Sequence, residues 1–269
     1  MDSKAAVISP ASTRSSVRAF ATDTAVLVRR NLLLSSRTPV LIVVGAIMPV
    51  MFILLFRYVL GDSIDVSGYP RYVDYLVPGV IVQTSLFGGS SSAVGVAEDL
   101  TRGVTDRLRS LPTRSGAILA ARTLADLMRL AFTVGLMLAV GVLVGFRFHN
   151  DPVPCLAGLA LVLVFGYACS WFFVLLGLVI PNVEAVTVAA MAITFPLVFA
   201  ASTFTTPASM PHWLAVFATN QPVTHAVDAL RALTQGRGPA GPPVVATLAW
   251  SAGILLVSAT LAVRRFRLG

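Results

Sequence analysis

Only one lysine, Lys4, occurs in 269 residues. A phosphate-binding P-loop needs a Gly-Lys-Ser/Thr step, so any work driven by ATP must draw on another chain. Charge of either sign is scarce too, at 12% of residues against about a quarter in soluble domains. The deficit comes from long windows that hold no charge at all. With 56% hydrophobic residues and a mean hydropathy of +0.83, those windows read as membrane spans, which need about 20 apolar residues each.

Cysteine and histidine are equally sparse. Cys155 and Cys169 fall in one expected helix about 21 Å apart, beyond the roughly 7 Å reach of a disulfide. They read as small apolar packing residues. His149, His212 and His225 are scattered, with no cysteine or carboxylate cluster at metal-ligand spacing. No Gly-x-Ser-x-Gly elbow is present, and the one acidic pair, Glu98-Asp99, is followed by arginines. A membrane-embedded lipid-modifying enzyme would need a catalytic constellation, so no catalytic or metal-binding residues are expected. A secondary transporter would need ionisable residues at mid-span, and the spans are nearly empty of them.

Six apolar runs are present, at residues 39–58, 75–96, 124–146, 153–180, 185–204 and 244–263. Nearly 40 mostly polar residues precede the first, which excludes a short cleavable signal. Within them, residues 17–37 carry a helical stripe of Val17, Phe20, Leu27, Val28 and Leu32 backed by arginines, as in a helix lying in the membrane interface. A plain juxtamembrane tail explains the same arginines. The fold class is therefore an all-α polytopic membrane protein with six transmembrane helices. Residues 1–37 form a cytoplasmic tail and interfacial helix, and 38–269 the six-span domain.

Orientation follows from basic residues outside the spans. The N-terminal tail, the loop 98–122 and the C-terminus hold about 14 of them, and the other side about five. Both termini are then cytoplasmic in a plasma (inner) membrane. Pro181-Asn182-Val183-Glu184 makes a turn in which Asn182 caps the fifth span and Glu184 suits its positive end. The segment 205–243 is too long and apolar for an ordinary loop. It reads as two short helices tucked back toward the outer leaflet, or a cap resting on it, with Trp213 as an interface anchor. There Asp228 and Arg231 can pair at i,i+3, opposite a face of Val223, Ala226, Val227, Leu230 and Leu233.

Arg122, Asp126 and Arg129 stand at i, i+4, i+7, so one carboxylate can serve two guanidiniums as a structural ion pair. Gly141–Gly145 and Gly166–Ser170 have the spacing of helix-packing pairs. Gln83, Thr84 and Phe87 in the second span, with Thr187, Met191, Thr194, Phe195 and Phe199 in the fifth, form polar-and-aromatic faces. Such faces can line a substrate pathway, and helix–helix packing accounts for them equally well.

The loop sequence Asp99-Leu100-Thr101-Arg102-Gly103 … Asp106-Arg107-Leu108-Arg109-Ser110-Leu111-Pro112 … Arg122 … Asp126 resembles the cytoplasmic loop of ABC-2-type permeases. Among these it is most similar to the daunorubicin-resistance (DrrB-type) exporters. Met210-Pro211-His212-Trp213-Leu214 … Asn220-Gln221-Pro222-Val223 … Ala229-Leu230-Arg231-Ala232-Leu233 … Gly236 is similar to that family's second signature. The resemblance implies a permease subunit of an ATP-driven exporter for a drug, polyketide or lipid. It implies two permease chains, identical or paralogous, in membrane lipid, each on a separate ABC ATP-binding subunit that holds the ATP and Mg. No cofactor is expected on this chain, and nucleic acid is not an expected partner. Gly103 and Pro112 would bracket a coupling helix whose Leu108 and Leu111 bury in the ATP-binding subunit, with Val104, Asp106, Arg107 and Arg109 around them. Export of a polysaccharide or glycolipid by the same architecture is the alternative within transport.

Overall fold

The computed structural model describes residues 39–60, 69–103, 115–204 and 210–268. The expected interfacial helix at 17–37 and the coupling segment from Val104 to Pro112 lie outside them. The described residues form helices and no strand. In order they are α1 (Pro39–Leu55, continued by a π-helical turn Phe56–Leu60), α2 (Tyr72–Thr101), α3 (Ser115–Val144), α4 (Pro152–Val179) and α5 (Val183–Phe199). Then come α6 (His212–Asn220), α7 (Pro222–Gln235) and α8 (Gly241–Leu268).

Four of these, α2, α3, α4 and α8, are long and apolar enough to cross a membrane. α1 and α5 have 17 residues each, about 25 Å of helix. α1 gains length from its π turn, and α5 runs into a buried turn at Ala201–Phe204. α6 and α7, at 9 and 14 residues, are too short to span.

The centre of the bundle is α2, packed most heavily on α4 and flanked by α3, α5 and α7, with α8 along the far side of α4. Every residue from Tyr72 to Leu86 is buried. α2 is also the least apolar of the four long helices. A helix facing lipid must be apolar on its outer surface, whereas one enclosed by protein can carry Asp, Gln, Ser and Thr if neighbours answer them. That is why the most buried helix has the weakest hydropathy signal.

Small residues let the backbones approach. Gly89 lies under the Phe173 ring, Gly166 against Leu130 and Ser85, and Gly177 against the Ala93 carbonyl. Gly79 faces backbone: a Cβ there would sit 2.8 Å from the Thr203 carbonyl oxygen and 3.0 Å from its Cα. Backbone cannot swing aside as a side chain can. Gly79→Val is therefore expected to lower unfolding stability by about 1–3 kcal/mol, read as a drop in the melting temperature of the purified protein. The Gly141–Gly145 spacing resolves differently from a packing pair. Gly141 packs against Val77, but Gly145 has φ +110° and ends α3.

At the α6/α7 end, polar side chains hold α2, α7 and the turn after α5 together. The Tyr72 and Tyr75 hydroxyls donate to the carbonyls of Phe204 (3.0 Å) and Ser202 (2.7 Å). Arg231 donates to the carbonyls of Tyr75 (2.9 Å) and Thr203 (3.0 Å) and stands over the Tyr75 ring. The expected Asp228–Arg231 pair is present at 3.4 Å, but not on a solvent face: Arg231 is 3% exposed. α7 is buried on both faces because α2, α4 and α8 surround it, so its polar side answers carbonyls instead of water. Nearby, burial pushes the Tyr69 phenol above its ordinary pKa, against the opposing field of Arg231. Trp213 on α6 is largely exposed.

The Asn182 cap is present, its side chain accepting from the Ala185 N–H at 2.8 Å. Pro152 and Pro222 sit in the first turns of α4 and α7, and Gly236 closes α7 in the left-handed region.

Candidate functional cavity

Between α1, α2, α3 and α4 lies a cavity of about 460 Å³. Met48, Pro49 and Phe52 come from α1, and Leu130 and Thr133 from α3. α2 supplies Gln83, Thr84, Ser85, Phe87, Gly88, Gly89 and Ser91, and α4 supplies Ser170. Gly88 leaves room where a side chain would fill it, with nothing within 4 Å of the place its Cβ would take, and the Ser170 hydroxyl turns back onto the Gly166 carbonyl at 3.0 Å. The result is a mostly apolar space with hydroxyls and one amide on its walls, the general form of a small-molecule site.

One end of the cavity carries charge. Asp126 and Arg129 of α3 line it and pair at 3.2 Å. Asp126 also accepts from the Ser92 hydroxyl at 2.6 Å. Arg129 donates to the Ser91 hydroxyl at 2.9 Å and the Gly88 carbonyl at 3.3 Å. Arg122, one turn earlier, bonds Asp99 instead of sharing Asp126. The i, i+4, i+7 spacing placed all three on one face correctly, but α2 offers a second carboxylate across the interface and Arg122 takes it. These contacts form a polar seam joining the second half of α2 to the first half of α3.

That seam leads to the loop between the two helices. α2 ends with the Arg102 N–H donating to Glu98 O at 3.0 Å and the Gly103 N–H to Leu100 O at 3.1 Å. Gly103 has φ +65°, where other residues pay a steric cost. The remaining residues expected to contact an ATP-binding subunit, Val104, Asp106, Arg107, Leu108, Arg109, Leu111 and Pro112, lie outside the described residues.

Of the eight residues expected along a pathway, Gln83, Thr84 and Phe87 line the cavity. The α5 set does not line it but continues from it. The Phe195 ring meets Phe87 edge-on at 6.0 Å and stacks on Phe199 at 5.6 Å, and Phe199 meets Phe52 of α1 at 6.3 Å. Met191, Phe195 and Phe199 are all partly exposed. Thr194 is buried, and Thr187 donates back to the Val183 carbonyl. The α1 wall and Ser85 had no distinguishing mark in the sequence, and Ser170 was marked only as half of a helix-packing pair. The position of Asp126 and Arg129 had one: an ionisable pair inside an apolar run is a functional signal by default.

The arrangement can hold an amphipathic molecule. Among the described residues no group of three or more His, Cys, Asp or Glu could hold a metal ion.

The family described as ABC-2 type transporter matches residues 22–234. A daunorubicin resistance ABC transporter permease of Streptomyces coeruleorubidus is 31% identical over 229 residues, covering 85% of this chain and 80% of the relative. A probable doxorubicin resistance ABC transporter permease of Mycobacterium tuberculosis is 28% identical over 253 residues, covering 91% and 88%. A second doxorubicin resistance permease of that organism is 29% identical over 247 residues, covering 89% and 84%. On the extent of that family match and the similarity to a relative 31% identical over 85% of this chain, this chain belongs to the ABC-2 type transporter family.

Proposed function

We propose that this chain is the membrane-spanning permease subunit of an ATP-driven exporter, moving a hydrophobic or amphipathic compound out across the plasma membrane. The observation that carries the reading is the cavity itself, walled by Phe52 and Phe87 and joined by the Asp126–Arg129–Ser91–Ser92 seam to the loop 98–122. The names of the relatives, daunorubicin and doxorubicin resistance permeases, supply the class of cargo. In this reading α1, α2, α3, α4, α5 and α8 all cross the membrane, and the 14-to-five division of basic residues puts both termini in the cytoplasm.

ATP and Mg are held by a separate ATP-binding subunit, docked on the segment from Gly103 to Pro112. Two permease chains, identical or paralogous, stand side by side in lipid. Closure of the two ATP-binding subunits displaces their loops. Because the seam fixes α2 to α3, the displacement reaches the cavity walls as a movement of the pair and not as a bend confined to the loop. Phe195 and Phe199 extend an aromatic path from Phe87 toward α5.

The test is uptake of daunorubicin into inverted membrane vesicles holding this chain and its ATP-binding subunit. ATP-dependent accumulation is expected, lost when that subunit is omitted and reduced at least about fivefold by Phe87→Ala, which removes on the order of 1 kcal/mol or more of ring contact. Accumulation without the ATP-binding subunit would overturn the reading.

A further inference from the structure

Gln83 lies on the cavity wall, 1% exposed, and neither its amide nitrogen nor its amide oxygen has a partner. The Ser85 hydroxyl, on the same wall and equally buried, is also unpartnered. A buried amide left unmade is among the more costly arrangements a fold can carry. A leucine of similar size would avoid the cost. Arg122, Trp171, Thr194, Thr203 and Gln221 also carry unpartnered buried polar atoms, but Gln83 and Ser85 are the ones on the wall of this cavity, where a bound molecule would answer them.

We infer that Gln83, with Ser85, is a specificity-determining residue that reads an uncharged donor–acceptor edge on the transported compound. The inference rests on the cavity being the substrate site. A carboxamide presents one N–H and one C=O side by side, so its complement is a group with an acceptor beside a donor, such as a lactam or a carboxamide. Phe87 stands one helical turn from Gln83 on the same helix, and Phe52 lines the cavity from α1; their faces suit a flat apolar body carrying that edge. Charge is not what the deep wall selects. The carboxylate and guanidinium at the other end already hold each other at 3.2 Å; Ser92 donates to the carboxylate, and the Ser91 hydroxyl and Gly88 carbonyl accept from the guanidinium.

A site built to hydrogen-bond its ligand rejects an analogue lacking the group, because its own polar atoms then stay unpaired. The cost of that orphan in the empty protein gives a second readout of opposite sign: removing the amide stabilises the fold while weakening recognition.

The full-length protein in lipid nanodiscs is tested with labelled 2-quinolone, N-methyl-2-quinolone and naphthalene, with retention corrected by protein-free discs. The first carries both donor and acceptor, the second lacks the donor, and the third lacks both. Wild type is expected to bind 2-quinolone roughly fivefold or more tightly than its N-methyl analogue. Gln83→Leu should erase that preference, keep naphthalene affinity and melt at a higher temperature. Gln83→Met provides the same test should the leucine variant fail to fold. Phe87→Ala should weaken all three ligands together. Equal binding of the two quinolones by wild type, or a preference that survives in Gln83→Leu, overturns the inference and leaves the cavity as a binding site. Retention of none of the three by wild type overturns the cavity reading itself.

Discussion

Arg231→Met is expected to cost on the order of 3–5 kcal/mol of stability, the range for stripping one partner from a buried ionic group. The guanidinium is 3% exposed and serves three parts of the chain at once. Its Nε donates to Tyr75 O on α2 at 2.9 Å, and one Nη donates to Thr203 O beyond α5 at 3.0 Å. The other Nη reaches the Ser202 hydroxyl and Asp228 at 3.3 and 3.4 Å. The ring of Tyr75 lies beneath it, 3.4 Å from guanidinium carbon to centroid, adding a cation–π contact. Methionine can fill much of the volume but leaves two carbonyls without these donors. It also removes a cation from beside Asp228, whose side chain is 45% exposed and recovers part of its loss from solvent. Arg231→Lys keeps the charge but not the fork that addresses divergent acceptors, and it should lose about half as much. Thermal unfolding of the purified protein, with limited proteolysis near 205–209 as a local probe, reads both. A methionine variant within about 0.5 kcal/mol of wild type, the scatter of a surface substitution, would show that Arg231 does not hold the three parts together.

The helix pattern was legible because lipid imposes one demand on every spanning helix, internal backbone hydrogen bonding beneath an apolar surface, and four of the expected runs lie in helices long and apolar enough to cross. Each of the six expected runs coincides with a described helix to within a few residues at most ends. The short pair α6 and α7 was legible because the segment 205–243 is too long and apolar for an ordinary loop and carries the helical face Val223, Ala226, Val227, Leu230 and Leu233. The rest depended on which surfaces meet. α2 is central because α3, α4, α5 and α7 enclose it, and Asp74, Thr84, Ser90 and Ser92 find partners there, yet its composition alone reads only as a weaker span. Spacing along α3 correctly grouped Arg122, Asp126 and Arg129, but i,i+3 and i,i+4 rules see only one helix, and Asp99 on the neighbouring helix captures Arg122. The same rules paired Arg231 with Asp228 but gave no sign of its carbonyl acceptors on α2 and beyond α5. In the candidate site, Gln83 was marked by being an amide inside an apolar run, whereas Met48 and Phe52 look like any other span residues until α1 is packed against α2.

Gly103→Pro and Leu108→Asp are expected to leave membrane insertion and melting temperature close to wild type while reducing ATP-driven transport at least about tenfold. The reasons differ. Gly103 sits at φ +65° with its N–H donated to Leu100 O at 3.1 Å. Proline fixes φ near −65° and has no N–H, so the chain must leave α2 in another direction and the loop is presented wrongly. Gly103→Ala separates geometry from identity: alanine tolerates φ +65° at about 1–2 kcal/mol and should retain most transport. Leu108 acts, in the proposed arrangement, by burying in the ATP-binding subunit. An aspartate there would be desolvated without a partner, and a cost of about 3 kcal/mol or more corresponds to roughly a hundredfold loss of docking. Co-purification with the ATP-binding subunit therefore distinguishes the two: Leu108→Asp should lose the complex, whereas Gly103→Pro should weaken it less than it weakens transport. The polar seam makes that split informative, because Asp99–Arg122 and Ser92–Asp126 remain in both variants and the cavity walls are untouched. Substrate binding measured without ATP should then be unchanged in either one. Full complex formation together with wild-type transport in both variants would remove the loop from the path between ATP hydrolysis and the cavity.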